Sequence, residues 1–259
     1  MIAKTALITG GSSGIGKELA SLFAADGYGL VLTARGGDAL EAAADRIRRR
    51  FGVAVLTIAA DLANQATPQA IYERICVERI EVGALVNDAG FATYGAFSQT
   101  DLKTELEMIE VNVSAVVHLT KLFLPGMRRR AAGKILNVAS TAAFFPGPLM
   151  AVYYASKAFV LSFSRALAEE LRGSGITVTA LCPGPTTSGF QRRAGMEDSK
   201  LLRGRVMDAP TVAQAGYRGL MRGKGLVVPG ARYRLLALAA RLAPTRLTTR
   251  VVRRMQERR

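Results

Sequence analysis

The sequence predicts a single α/β domain, a doubly wound parallel sheet of about seven strands with helices on both faces. Three observations carry that expectation. Short apolar runs alternate with helical patterns from end to end, as in a sheet built of strand–helix–strand units. A glycine-rich turn, Thr9-Gly-Gly-Ser-Ser-Gly-Ile-Gly16, sits between the first such run and the first helical pattern. No internal repeat, low-complexity stretch or Pro/Gly linker divides the 259 residues, of which 49% are hydrophobic and 21% charged.

The elements are expected as follows. Ala3–Ile8 is a buried strand, and Ile15, Leu19, Leu22 and Phe23 fall at helical spacing over Lys17–Ala25. Leu30–Thr33 is the second strand, followed by a helix from Asp38, a plausible N-cap, to Phe51. Val53–Ile58 is the third strand, and a helix over Thr67–Arg79 leads to the strand Ala84–Val86. A long helix is expected over Leu102–Met127, a strand over Lys134–Val138, a helix over Val152–Arg172 and a strand over Ile176–Leu181. Thr211–Arg222 then reads as a helix and Leu226–Val228 as a last short strand. Right-handed crossovers in that order give the doubly wound sheet.

The glycine turn is the first functional signal. Between a strand and a helix it brings unpaired backbone N–H groups and the positive end of a helix dipole to one point, which suits phosphate. Gly10, Gly14 and Gly16 permit close approach, with Ser12, Ser13 and Ile15 between them. The spacing Gly-x-x-x-Gly-x-Gly is one residue off the general dinucleotide fingerprint. Roughly 20 residues beyond such a turn, the end of the second strand meets the adenosine ribose, where a carboxylate favours NAD. Here stands Ala34-Arg35, and a guanidinium suits a 2′-phosphate, so NADP(H) is expected over NAD(H). Asp61-Leu62, after the third strand, could hold the adenine edge or form only a strand-end turn.

The strand ending at Ser140 delivers that residue to the carboxyl edge of the sheet. Tyr153 and Lys157, four apart, share one face of the next helix. A tyrosine titrates near ~10, too high for a base at neutrality, and an ammonium one turn away favours the phenolate. Ser140 can hydrogen-bond a substrate oxygen. The set suits carbonyl reduction beside a nicotinamide.

In order along the chain, Thr9-Gly10-x-x-x-Gly14-x-Gly16, Asp61, Asn87-Asp88-Ala89-Gly90, Asn112, Ser140, Tyr153-x-x-x-Lys157 and Pro183-Gly184 resemble the short-chain dehydrogenase/reductase family. The resemblance runs from Ala3 to about Pro229. It implies that Tyr153 is the general acid/base, that Ser140 orients the substrate, and that Lys157 lowers the Tyr153 pKa and holds the nicotinamide ribose. It implies a water relay supported by Asn112, cofactor contacts at Asn87, Ala89 and Gly90, and Pro183, Gly184 and Thr186 flanking the nicotinamide. A homodimer or homotetramer, paired through the long helices around Asn112 and Tyr153, is also implied. Asp88 departs from the family's usual Asn-Asn-Ala-Gly, and Asn87 can still make its strand-stabilising contact. Tyr154 is expected to pack or line the pocket.

Phe91, Tyr94, Phe144, Phe145, Leu149 and Met150 are expected to wall an apolar substrate site, with Thr187–Arg205 as a lid carrying Phe190 and Met196. This suits a hydrophobic ketone, aldehyde or acyl carbonyl. The ending Val227-Val-Pro-Gly230 with a basic extension makes the chain a poor match to reductases of acyl-carrier-protein thioesters.

Charge is placed unevenly. Residues 201–259 hold 14 Lys+Arg against 2 Asp+Glu, most of the formal net charge of +15. The domain is therefore read as 1–230 and a basic amphipathic helical extension as 231–259. That extension suits packing or self-capping with a solvated Arg face, or weak contact with an anionic membrane surface. No nucleic-acid module is recognised. One His and two cysteines without ligand spacing give no metal site, and Cys76 and Cys182 are expected as reduced, buried thiols. With no signal-like N-terminus and no apolar run of ~18–20 residues, a cytoplasmic protein is expected.

Overall fold

The computed structural model describes residues 4–187, 189 and 206–257. Seven parallel strands form the central sheet: β1 (Thr5–Thr9), β2 (Gly29–Ala34), β3 (Val55–Ala59), β4 (Ala84–Asn87), β5 (Gly133–Val138), β6 (Ile176–Leu181) and, numbered β9 in chain order, Leu226–Val227. Their order is β3-β2-β1-β4-β5-β6-β9. A small parallel pair not expected from the sequence, β7 (Thr186–Thr187) and β8 (Met207–Asp208), lies outside it.

Side-chain alternation explains why both faces need helices. In β1, Ala6 and Ile8 enter one core, with Leu7 in the other. β4 repeats this with Ala84 and Val86 against Leu85, and β5 with Leu136 and Val138 against Ile135. Strands apolar on both sides are the mark of a covered parallel sheet. On one face pack α1 (Gly14–Ala25), α2 (Gly37–Phe51) and α7 (Ala209–Met221), through Leu19, Phe23, Leu40, Ile47 and Val212. On the other pack α3 (Thr67–Val77), α4 (Leu102–Ile109), α5 (Ala115–Arg129) and α6 (Ala151–Glu170), through Ile71, Met108, Leu119 and Leu167.

Helix ends follow local chemistry. Asp101 caps α4 by accepting the Thr104 N–H at 2.8 Å, and Asp208 caps α7 by accepting the Thr211 N–H at 2.6 Å. Asp38 does not cap α2 as expected: Gly36 holds that position, and Asp38 lies in the first turn. The expected long helix is continuous but contains a π turn at Glu110–Ser114, centred on Asn112. Over Leu102–Arg129 it is long and apolar enough by composition to cross a bilayer, yet its inward residues pack on the sheet.

One thiol departs from expectation. Cys182 is buried, but Cys76 is exposed, because Ile71 and Ile75 take the inward positions of α3 and the next residue turns outward.

After β9 the chain forms α8 (Ala231–Leu242) and α9 (Thr245–Gln256), joined by a two-residue turn at Ala243-Pro244. These helices do not stand apart from the sheet. Val252 packs on the core that contains α6, and Gln256 is fully buried.

Candidate active site

The strand order reverses between β1 and β4, and the crevice at their carboxyl ends is where open α/β sheets bind ligands. Thr9 ties the two sides together. Its hydroxyl accepts the N–H groups of Asp88 and Ala89, each at 3.0 Å, fixing the exit of β4 beside the glycine turn.

The turn depends on its missing side chains. Gly10 has φ +74° and Gly14 φ +55°, which favour glycine. A Cβ on Gly16 would lie 2.5 Å from the Gly10 carbonyl oxygen. Ser13, at the start of α1, makes no side-chain cap, and no acid occupies the first turn. The Gly14 and Ile15 N–H groups therefore remain available to an anion, while the Gly16 N–H goes to the Asp88 carboxyl. Arg35 lies exposed at the lip of β2 and makes no ion pair among the described residues. These residues fit a phosphorylated dinucleotide.

A cavity of about 810 Å³ joins this cradle to the chemistry-bearing residues. Of the cofactor residues expected from the sequence, Gly10, Ser12, Ser13, Gly14, Ile15 and Arg35 line it, as do Asp61, Leu62, Ala89 and Gly90. Pro183, Gly184 and Thr186 line it farther along, near Ser140, Tyr153 and Lys157. Gly16, Asn87 and Asn112 do not. Gly16 lies behind the turn, and Asn87 points into the sheet, where its Nδ2 donates to Asn137 Oδ1 at 2.8 Å. Asn112 clamps the loop after β4: its Oδ1 accepts the Phe91 N–H at 3.1 Å, and its Nδ2 donates to the Phe91 carbonyl at 3.0 Å and to Ser156 Oγ at 3.1 Å.

Ser140 lies two residues beyond β5, and its hydroxyl hydrogen-bonds Tyr153. It also accepts the Ala142 N–H at 3.1 Å, starting a 3-10 turn at Thr141–Phe144. Lys157, buried one turn beyond Tyr153, donates to the Val138 carbonyl at 2.9 Å. Its ammonium lies 5.9 Å from the centre of the Tyr153 ring.

Electrostatics here correct one expectation. Burial pushes Tyr153 up to about 12; the Ser140 hydrogen bond opposes this, and Cys182 adds to it. Lys157 contributes no lowering here: desolvation of the phenol dominates, and the group stays protonated through neutrality. Burial takes Lys157 down to about 8, opposed by Asp88 and Cys182. Burial likewise raises Asp88 to about 7, opposed by Lys157 and by the Gly16 N–H. The departure at position 88 thus places an acid between the glycine turn and the lysine.

Of the expected apolar wall, Phe91, Phe145 and Met150 line the cavity, and so does Tyr154. Tyr94, Phe144 and Leu149 do not, and residues 190–205 of the expected lid, with Phe190 and Met196, lie outside the described residues. The wall that sequence reasoning missed comes from α8 and α9, including Tyr233, Leu236, Leu247, Val251, Met255 and Gln256. Tyr233 lies over Gly184, where a Cβ would come within 2.4 Å of its ring. The apolar spacing Leu247, Val251, Met255 was the available signal, but it does not say which surface the stripe covers.

A family model described as short chain dehydrogenase matches residues 4–198. The very-long-chain 3-oxoacyl-CoA reductase of Anas platyrhynchos is 39% identical over 184 residues, 69% of this chain and 58% of that protein. The human protein of that name is 36% identical over 188 residues, 70% of this chain and 59% of its own length. The chain thus spans under two thirds of the length of these relatives. Among solved structures, a short-chain dehydrogenase from Sphingobium yanoikuyae in complex with NADPH is 36% identical, with a TM-score of 0.82 over 92% of this chain and 93% of that one. The bulky-bulky ketone specific alcohol dehydrogenase from Comamonas testosteroni is 31% identical, with a TM-score of 0.79 over 93% of both chains. The family match covers the sheet from β1 through β6, and the same motifs meet at one crevice. The chain belongs to the short-chain dehydrogenase family.

Proposed function

We propose that this chain is an NADPH-dependent oxidoreductase that interconverts a ketone and a secondary alcohol on a hydrophobic molecule, with a 3-oxoacyl thioester as the substrate class. The observation that carries this reading is one cavity with the glycine cradle and Arg35 at one end, an apolar wall at the other, and Ser140, Tyr153 and Lys157 between them. The 3-oxoacyl class is favoured by the curated relatives, whose names bring oxoacyl thioesters back despite the atypical C-terminal ending.

When bound, the reduced nicotinamide supplies a hydride to the carbonyl carbon. The chain supplies the rest. Ser12, Ser13 and the N-terminus of α1 would hold the diphosphate, and Arg35 would pair with the 2′-phosphate. Ser140 hydrogen-bonds the carbonyl oxygen and orients it. Tyr153, protonated at neutrality, gives its proton to that oxygen, and Lys157 holds the ribose and helps to return a proton to the phenolate. The walls of α8 and α9 exclude water from the apolar part.

The test follows NADPH consumption with 3-oxoacyl thioesters and hydrophobic ketones. Tyr153→Phe should lower kcat/KM by about 10³-fold while NADPH binding is retained. A variant with the wild-type rate would overturn the assignment.

A second reading, a catalytically weak nucleotide-binding member that works at a membrane surface, is favoured by one feature. Leu235, Leu238 and Leu247 are exposed on α8 and α9 beside arginines such as Arg246 and Arg250. Exposed Leu102, Leu106 and Ile109 on α4, with Phe159 on α6, support pairing of two copies through these helices.

A further inference from the structure

The wall that α9 gives the cavity is interrupted by a buried polar side chain. Gln256, on the last turn of α9, is fully buried. The Tyr94 hydroxyl donates to its main-chain carbonyl at 2.5 Å, and its Nε2 donates to the Tyr154 hydroxyl at 2.6 Å. Its Oε1 has no partner among the described residues. The Tyr154 hydroxyl, which accepts from Gln256, has no acceptor for its own proton there. Burial pushes the Tyr154 phenol well above the ordinary tyrosine range, so it remains a donor. A buried amide oxygen left unpaired is costly, and such groups in native proteins call for an explanation.

Position supplies one. Tyr154 follows Tyr153 directly, with ring centres 6.0 Å apart, and both residues line the cavity with Gln256. An oxygen a few bonds from the reacting carbonyl would therefore fall within reach of the pair.

We infer that Gln256 and Tyr154 form a second polar subsite in an otherwise apolar chamber, which binds the second carbonyl oxygen of a β-dicarbonyl substrate while Ser140 and Tyr153 hold the carbonyl to be reduced. The two ends of an amide exchange by a half-turn about its last torsion. After that turn Tyr154 gives its proton to Oε1, and Nε2 takes the place of the unpartnered oxygen beside the cavity. No buried group is then orphaned once a carbonyl oxygen accepts from Nε2. A plain alkyl chain would leave the donor unpaired, and sites of this kind reject ligands that lack the matching group. The subsite comes from the C-terminal helix, so the helix that closes the chamber also reads the substrate.

This inference deepens the 3-oxoacyl reading and rests on it, but binding can be measured without turnover. The full-length protein with saturating NADPH is titrated by calorimetry with a medium-chain 2,4-diketone and with the 2-ketone of equal length. The kcat/KM ratio for a 3-oxoacyl thioester over that ketone is measured in parallel. Wild type should prefer the dicarbonyl, and Gln256→Leu and Tyr154→Phe should each reduce that preference by about 10- to 100-fold. If Gln256→Leu fails to fold, Gln256→Glu carries the test: it keeps the size and the acceptor to Tyr154 but removes the donor. An unchanged preference, or an equal loss for both ligands, overturns the subsite, because the pair would then only hold α9 in place. A diketone preference without turnover of either substrate refutes the reductase reading and leaves the subsite standing. Turnover without the preference refutes the subsite alone.

Discussion

Gly16→Ala tests how the phosphate cradle is built, because local and tertiary effects have opposite signs there. Gly16 lies in the first turn of α1, where alanine is favoured over glycine by about 1 kcal/mol of helix propensity. The added Cβ would, however, lie 2.5 Å from the Gly10 carbonyl oxygen and 2.6 Å from Asp88 Oδ2. Neither neighbour moves freely. One is backbone in the turn itself, and the other is held by the Gly16 N–H and by the Thr9 clamp on its own N–H. Overpacking of this kind costs about 1–3 kcal/mol, and the displacement falls on the loop that faces the cavity.

Gly27→Ala is the control. Gly27 has φ +76°, but an added methyl would meet nothing within 4 Å among the described residues, and Gly27 does not line the cavity. It should be destabilised only by the left-handed strain that the alanine introduces, about 1–2 kcal/mol. Melting temperatures and NADPH affinity by calorimetry separate the two. Both variants should melt lower than wild type or near it, but only Gly16→Ala should weaken NADPH binding, by about 10-fold or more, since each factor of ten is ~1.4 kcal/mol. Wild-type NADPH affinity in Gly16→Ala, or an equal loss in Gly27→Ala, would refute the steric argument.

Two further outcomes follow from the same site. Arg35→Asp should shift preference from NADPH toward NADH by replacing the partner of the 2′-phosphate with a ribose acceptor; an unchanged Kd ratio for the two cofactors would remove Arg35 from the cradle. Asp88→Asn should change how stability depends on pH. The folded value of Asp88, about 7, lies above its ordinary 3.8, so between them the folded state keeps a proton that the unfolded chain has released, and stability falls as pH rises through that window. The asparagine variant should lose that fall and melt higher than wild type at the upper end, whereas parallel melting curves across the window would refute the burial of a titrating acid.

The sequence by itself determined the sheet, the cradle and the placement of Ser140, Tyr153 and Lys157. Each is a local pattern: alternation along a strand, glycine spacing between a strand and a helix, a four-residue step on one helix face. Strand ends shifted by one or two residues at most of the boundaries, which moved none of these groups. Tertiary structure decided what depends on distant segments. The stripe on α9 was legible as amphipathic, yet nothing local says that Gln256, at the end of the same helix, meets Tyr154, 102 positions earlier in the chain. Asn112 was expected to support a water relay, whereas its grip on Phe91 across 21 positions depends on packing. The Tyr153 phenol was expected to be low beside an ammonium, and burial raised it instead. Periodicity records which side of an element is apolar; only the folded chain decides what that side meets and how much water is left around it.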